Sequence, residues 1–303
     1  MAIFMSAAPA AESARDEGID IEEVLGLLPE AETYRGQDKW FHILDLMRRM
    51  TGEVAYVEKF IRSMIHDRND FDLKDGYRDT SVVLDSVNGY GIRLNKWKPF
   101  GHRQIDMQTD VGLTYDLAHN HDFQLLTKGI WGSGYQTDLY RFESDTALGA
   151  FDEAVDLRFQ GRLQLTKGSV LWFEEFRDVH VQRPPDELSL SLNFIPLGRT
   201  VRNGQLFFDT ETAKVTGFPQ TAYVQLLALV DLLCDLGQGE DVLDISYEIA
   251  GRAKNRWFKI AMANLIAERW DRPRGEVLDR LELRDDDRLL ALPGEAFSPL
   301  HIL

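Results

Sequence analysis

The sequence contains little cysteine and an excess of acidic over basic residues, and both features restrict its class. Its 303 residues include one cysteine, Cys234. No intramolecular disulfide can therefore form, and no cysteine-based zinc or iron–sulfur site can be built. The chain has 50 acidic and 34 basic residues, which gives a formal net charge of −16. Because so acidic a surface repels nucleic-acid phosphates and anionic membranes, we expect neither as a partner.

Long apolar runs and the common cofactor motifs are also missing. No stretch approaches the roughly 20 apolar residues that a membrane-spanning helix requires. The N-terminus, MAIFMSAAPAAESARDEG, lacks the basic start of a signal peptide, and its composition predicts a disordered lead-in. We find no Walker A run, no G-x-G-x-x-G after a strand, no nucleophile elbow and no His-Glu-x-x-His. These absences predict a soluble cytoplasmic protein without a nucleotide fold.

Hydrophobic periodicity divides the chain into three parts. Apolar residues recur at helical spacing from about residue 19 to 66, and Thr51-Gly52 separates two helices there. From about residue 80 to 217, short β-branched and aromatic runs alternate with turn residues. Leucine and phenylalanine alternate with serine and asparagine over 188–195, which predicts a half-buried strand. Helical spacing returns from about residue 219, including a helix predicted from Asn255 to Trp270.

Several short strands at close spacing are typical of a β-sandwich or β-barrel. We therefore predict a mainly β fold with helical extensions at both ends of the chain. The predicted domains are a flexible N-terminus and helical segment over 1–78, a β-barrel over 79–218 and a helical C-terminal segment over 219–303.

Three histidines in the β-rich part form a candidate metal site. His119 and His121 are two residues apart, so on a strand both rings project to the same face. His180 lies downstream in a comparable β setting, and a barrel can bring it to the pair. Imidazole is a good ligand for iron, copper, nickel and zinc. His102 is either a fourth ligand, a neighbour that orients a ligand, or a loop residue, whereas Asp122 faces away from His121.

The segment from Gly112 to Pro196 resembles the cupin superfamily. A glycine precedes the His-Asn-His pair, further glycines follow it, and a glycine opens the strand before the third histidine. The glutamate that follows His-x-His in most cupins is absent, because Leu125, Leu126 and Thr127 occupy its window. The resemblance is therefore to the three-histidine subset, which includes the thiol dioxygenases. The residues that carry it are Gly112, His119, His121, Thr127 through Gly134, Gly168, Val170 through Phe173, and His180.

This resemblance implies a cupin-type β-barrel, also called a double-stranded β-helix or jelly roll, and a mononuclear non-haem iron oxygenase. Iron(II) is the expected metal, with zinc, manganese and nickel as alternatives. O2 and a small polar substrate, such as an amino acid or a derivative, would be the partners, and a homodimer is a further expectation. Tyr135, Tyr140 and Arg141 are the residues predicted to hold the substrate, with Arg93, Arg177 and Arg183 as further candidates. The alternative functions are a non-catalytic metal-binding or small-molecule-binding cupin and a metal-dependent isomerase or lyase.

Overall fold

The computed structural model of the chain describes residues 2–6, 18–66, 81–99, 115–143, 147–197, 205–218, 222–237, 240–283 and 289. This described part contains fourteen strands and seven helices. The strands are β1 (Ile3–Met5), β2 (Ile19–Asp20), β3 (Met50–Thr51), β4 (Ser81–Val87), β5 (Tyr90–Trp97), β6 (Ala118–His119), β7 (Leu125–Trp131), β8 (Gln136–Phe142), β9 (Leu157–Gln164), β10 (Val170–Phe173), β11 (Asp178–Arg183), β12 (Ser189–Pro196), β13 (Phe207–Asp209) and β14 (Lys214–Gly217). The helices are α1 (Ile21–Ala31), α2 (Gln37–Arg49), α3 (Glu53–His66), α4 (Ala222–Asp235), α5 (Glu240–Arg252), α6 (Arg256–Arg269) and α7 (Arg274–Arg280).

The strands form two six-stranded antiparallel sheets and one short parallel pair. The first sheet has the order β1-β10-β7-β12-β5-β4, and the second has the order β14-β13-β6-β11-β8-β9. The parallel pair is β2 with β3. Within the described residues neither sheet closes on itself. The mainly β class that the sequence predicts is therefore confirmed, whereas the closed barrel is not seen in this part of the chain.

The chain forms two compact units. One comprises Met1–Leu117, Phe123–Tyr140 and Phe159–Arg199, and the other comprises Ala118–Asp122, Arg141–Arg158 and Thr200–Leu303.

In the first unit, α1, α2 and α3 cover one face of the first sheet. Trp40 on α2 stacks on Trp172 of β10 with ring centroids 6.0 Å apart, and Leu44 is fully buried beside them. Because alternate strand residues point to the same face, Leu192 and Phe194 of β12 also join this core. Each such side chain contributes about 1.5–3 kcal/mol when fully buried. The helical period predicted for this part of the sequence is confirmed, with α2 ending and α3 beginning around Thr51-Gly52 as expected.

The other face of the first sheet is buried as well. Trp97, Leu171 and Phe173 pack there against Tyr135 and Leu139. The polar residues of β12, Ser189, Ser191 and Asn193, are consequently buried rather than exposed to water. The prediction of a half-buried strand over 188–195 is thus correct in its alternation but wrong in its solvent exposure, because a second apolar layer covers the polar face.

In the second unit, α6 is the helix whose side chains are buried most completely. Asn255 caps its N-terminus, accepting a hydrogen bond from the Phe258 N–H at 2.8 Å. Trp257 packs on Phe218 and Phe258 packs on Tyr223, with ring centroids 4.8 and 5.0 Å apart. The helix predicted between Asn255 and Trp270 is confirmed.

The first residues of the chain differ from the prediction of a disordered lead-in. Residues 3–5 form β1, which pairs antiparallel with β10 at the edge of the first sheet. The lead-in prediction is wrong for these residues, because three consecutive apolar side chains find a hydrogen-bonding partner in a distant strand. None of the described helices is both long enough and apolar enough to cross a membrane.

Candidate metal centre

Two of the three predicted ligands lie in one short segment. His119 ends β6, His121 follows two residues later, and both are buried. Asn120 between them is fixed on two sides, since its Oδ1 accepts the Leu206 N–H at 2.8 Å and its own N–H donates to the Leu206 carbonyl at 3.3 Å. On the neighbouring strand β13, Phe207 is the antiparallel partner of His119. With its backbone held in this way, the segment keeps the two imidazole centroids 5.1 Å apart and nearly perpendicular, at 86°.

The third histidine is on β11 and is fully buried. The His180 ring packs edge-on against Phe173, with centroids 4.2 Å apart. The turn before β11 is closed by Asp178, whose carboxylate accepts the Glu174 N–H at 2.8 Å and whose own N–H donates to the Glu174 carbonyl at 3.1 Å. Phe176 in this turn has a φ of 62°, in the left-handed region. Glu175, Phe176 and Arg177 therefore form the turn that leads into β11.

His119, His121 and His180 form a candidate metal-binding group among the described residues. One nitrogen each from His119, His121 and His180 can be chosen so that all three lie within 4.8 Å of one another. Within the described residues this group contains no carboxylate and no cysteine. His102 lies outside the described residues, so the three alternatives of ligand, orienting neighbour and loop residue stay open.

This donor set fits a divalent metal ion. Metal–imidazole bonds are about 2.0–2.1 Å long, so two nitrogens on one ion are separated by at most about 4.2 Å. The three nitrogens of this group lie within 4.8 Å of one another, a limit slightly above that separation. Neutral imidazole is accepted by iron, zinc, copper and nickel alike, so the three residues could hold a divalent ion without selecting its identity.

The residues predicted to hold the substrate are placed as follows. Tyr135 is almost fully buried just before β8, and its ring lies 4.0 Å from the Trp97 ring. Tyr140, on β8, is half-buried and packs edge-on against Phe159 at 5.3 Å. Arg141 is the next residue of the same strand and is also half-buried. No ligand contact tests these three roles, which stay predictions.

The remaining histidines are separate from this group or lie outside the described residues. His42 stacks on Tyr34 with ring centroids 4.6 Å apart, and His66 ends α3. His301 and His102 belong to the parts of the chain that the structure does not describe.

Sequence reasoning missed a row of buried polar groups on the first sheet. Arg93, Asn193 and Thr127 lie in one register across β5, β12 and β7. Within the described residues, the Arg93 Nε and the Asn193 Oδ1 are buried without a hydrogen bond. Each such group costs about 1–3 kcal/mol. The signal in the sequence was the polar half of the alternation in β12, which a strand facing water would show equally well.

Comparisons with known proteins give only distant similarities. No protein-family model matches the chain, and no curated protein matches it. Hydroquinone 1,2-dioxygenase from Sphingomonas sp. TTNP3, solved with 4-hydroxybenzoate bound, is 11% identical, with a TM-score of 0.28 over 41% of this chain and 70% of the other. Hydroquinone 1,2-dioxygenase PnpCD, in complex with Cd2+ and 4-hydroxybenzonitrile, is 10% identical, with a TM-score of 0.25 over 41% and 68%.

A third similar structure comes from work on the DMSP lyases RdDddP and RnDddQII. It is 14% identical, with a TM-score of 0.24 over 43% of this chain and 55% of the other. With TM-scores this low, the three similarities carry no argument about the fold or the reaction, which must be argued from the residues of this chain.

Proposed function

We propose that this protein is a cupin-type metalloprotein that binds iron(II) through His119, His121 and His180. The observation that supports the proposal is the convergence of three buried imidazoles without a carboxylate among the described residues. The proposal includes a cupin-type jelly roll over residues 79–218, with the helical segments 1–78 and 219–303 on either side of it in sequence.

A ligand set of three neutral imidazoles has definite consequences. It donates three lone pairs and no negative charge, so it leaves the charge of the ion uncompensated and some coordination positions open. When bound, iron(II) would supply the redox and Lewis-acid chemistry of an oxygenase that uses O2. The chain contributes orientation, because Asn120 fixes the backbone between two ligands and Phe173 packs against the third ring. Its burial of the three rings also excludes water from them.

The proposed substrate is a small polar molecule, such as an amino acid or a derivative of one. In this proposal Tyr135, Tyr140 and Arg141 bind its polar groups, because tyrosine hydroxyls and a guanidinium recognise carboxylates and related groups. A cytoplasmic location and a homodimeric state are further predictions from the sequence.

Metal content tests the proposal directly. We expect the chelator-treated protein to take up about one iron per chain when iron(II) is added without oxygen, as measured by elemental analysis after desalting. His119→Ala, His121→Ala and His180→Ala should each weaken iron binding by more than about 100-fold, the upper range for loss of a group that only orients a ligand. His42→Ala is the matched control and should bind iron as the wild type does.

Iron retention by the three single variants would contradict the metal site. An oxygen electrode then separates the candidate reactions, using the iron-loaded protein and a panel of amino acids and small carboxylates. Substrate-dependent O2 consumption supports the oxygenase. Turnover with zinc, manganese or nickel and without O2 consumption would favour the isomerase or lyase alternative. Metal binding without any turnover would favour the non-catalytic binding protein.

A further inference from the structure

The row formed by Arg93, Asn193 and Thr127 has a geometry suited to binding a ligand. Asn193 on the middle strand pairs directly with Arg93 on one side and with Thr127 on the other. Residues directly opposite one another in neighbouring strands have Cβ atoms about 5 Å apart and project to the same face. The three polar side chains therefore stand side by side, across about 10 Å of one sheet face.

This face is enclosed by apolar side chains of the same unit. Leu171 follows Thr127 in the register, and Trp97 and Phe173 belong to the core cluster on this side. Tyr135, from the opposite layer of that cluster, lies close enough to Arg93 for the two groups to interact electrostatically. A guanidinium, a phenol, an amide and a hydroxyl are thus gathered inside a largely apolar layer.

Arg93 has no acidic partner in the part of the chain that the structure describes. The phenol of Tyr135 is the only titratable group there that acts on it, and its Nε makes no hydrogen bond. Burial lowers the pKa of Arg93 to about 10, which leaves the guanidinium charged at neutral pH. The Arg93 side chain is half-buried with its Nε enclosed, and a cation in so apolar an environment is stabilised by a negative partner.

Lys128 is a buried cation of the same sheet that, unlike Arg93, has an acidic partner. It is on β7, next to Thr127 but on the opposite face of the sheet, and it is almost fully buried. Its ammonium group pairs with Glu53 and donates a hydrogen bond to the Met50 carbonyl at 2.5 Å. The neighbouring polar pair of the Arg93 face is also satisfied, since the Trp97 indole N–H donates to the Ser191 hydroxyl at 2.9 Å. The Arg93 Nε and the Asn193 Oδ1, in contrast, have no such partner among the described residues.

We propose that Arg93, Asn193 and Tyr135 bind the carboxylate group of a small organic ligand. The planar guanidinium matches a carboxylate through two parallel N–H···O bonds. A half-turn of the terminal amide of Asn193 exchanges its oxygen and nitrogen, so that this residue presents N–H donors. Burial raises the pKa of Tyr135, so its hydroxyl keeps the proton that it donates. The identification of this ligand as the substrate rests on the proposed function, whereas its binding does not require a metal.

The test uses metal-free full-length protein, so that binding is independent of the histidines. Titration calorimetry compares propionate and benzoate with their neutral amides, propionamide and benzamide. We expect saturable binding of at least one of the two carboxylates, with affinity at least about tenfold higher than that of its amide, because only the carboxylate pairs with the guanidinium. Arg93→Met should abolish this preference, whereas Arg252→Met, at an exposed residue of α5, should leave it unchanged.

Asn193→Asp provides a second variant that is nearly the same size. It places a carboxylate directly opposite Arg93 in the register, which should neutralise the guanidinium from within. We expect this variant to lose carboxylate binding while its melting temperature equals or exceeds that of the wild type. The proposal is overturned if the wild type does not distinguish a carboxylate from its amide, or if Asn193→Asp binds the carboxylate as the wild type does.

Iron content is measured on the same samples. Arg93→Met and Asn193→Asp should keep the iron uptake of the wild type if both proposals hold. If the wild-type protein takes up iron but does not bind a carboxylate, this inference alone is overturned. Carboxylate binding by protein that takes up no iron would overturn the proposed metal site alone.

Discussion

Asp138 on β8 is a buried carboxylate shared by two arginines. Arg162 donates to it through two nitrogens, one of them at 2.9 Å, and Arg183 approaches to 3.2 Å. The hydrogen bond from Arg162 makes the largest contribution to holding the pKa of Asp138 below its ordinary value of 3.8, against the opposing effect of burial. Since the folded protein holds the charged form more tightly than the unfolded chain does, this group stabilises the fold above pH 3.8.

Asp138→Asn should therefore lower the free energy of unfolding at pH 7 by about 2 kcal/mol, through the lost charged hydrogen bonds. The difference from the wild type should shrink as the pH falls from 3.8 through the lowered pKa of folded Asp138, because first the unfolded chain and then the folded protein binds a proton there. Urea unfolding at several pH values between 7 and 3 measures both quantities. Asp156→Asn, in an exposed pair with Arg158, is the control and should change stability by less than about 1 kcal/mol. A loss at Asp138 that is independent of pH would contradict this account.

At the level of single residues, the sequence predicted the histidines better than their surroundings. His119 and His121 could be paired because their separation of two matches the period of a strand, and His180 was the remaining histidine in a β setting. The row of Arg93, Asn193 and Thr127 could not be predicted, because its members come from three separate strands that span 100 residues. Their proximity is set by strand register, which a local pattern does not contain.

The start of α3 is attached to β7 by a buried ion pair. Lys128 pairs with Glu53, the first residue of the helix, and both side chains are largely buried. Burial lowers the pKa of Lys128, and the Glu53 carboxylate opposes that change. Removing one member of a buried pair leaves the other charge without compensation, whereas removing both does not.

Glu53→Gln should accordingly lower the free energy of unfolding by about 3 kcal/mol. The double variant that also carries Lys128→Met should recover part of this loss. Urea denaturation of the two single variants and of the double variant measures the three free energies of unfolding. The exposed pair of Lys59 with Glu22 supplies the control, and Glu22→Gln should change stability by less than about 1 kcal/mol. A double variant that is less stable than Glu53→Gln would be inconsistent with a buried, charged Lys128.

The turn between β7 and β8 depends on a glycine. Gly134 has a φ of +82°, and a Cβ added to it would lie 2.0 Å from the carbonyl oxygen of Leu165. Its own N–H donates to the Ser189 hydroxyl at 3.0 Å, so the turn cannot move away freely. The glycines of this segment, which belonged to the cupin resemblance, are thus required by close backbone approach.

Gly134→Ala should lower the free energy of unfolding by about 2 kcal/mol or more, because a positive φ and a backbone clash combine. Gly26→Ala is the matched control within α1, where an added Cβ meets nothing within 4 Å. It should raise stability by about 0.5–1 kcal/mol. Thermal and urea unfolding measure both variants, and equal effects at the two glycines would show that the close approach at Gly134 is unimportant.

Whole elements were predictable where their apolar pattern was strong. β12, for example, was predicted to within one residue. The helix α5 was not predicted, because only Val242, Leu243, Ser246 and Ala250 of its thirteen residues are buried. So narrow a stripe gives a weak helical period. β6 has two residues and is too short to show any period at all.

At the scale of the whole molecule, the change from helical to strand period and back predicted the fold class but not the sheet order. β1 pairs with β10 and β12 pairs with β7, each over a long separation in sequence. Local periodicity indicates that strands exist, whereas their neighbours depend on which apolar faces can be buried together. The metal-site proposal likewise requires distant parts of the chain to meet, so it needs a measurement on the folded, metal-loaded protein.

Anomalous X-ray diffraction from crystals of iron-loaded protein, collected on both sides of the iron absorption edge, tests the central claim most directly. We predict a single iron peak within about 2.0–2.3 Å of one imidazole nitrogen from each of His119, His121 and His180, near the usual range for metal–nitrogen bonds. No carboxylate should occupy a further position on the ion. Iron bound at other residues would contradict the account. So would the absence of an iron peak at the three imidazoles in crystals of iron-loaded protein.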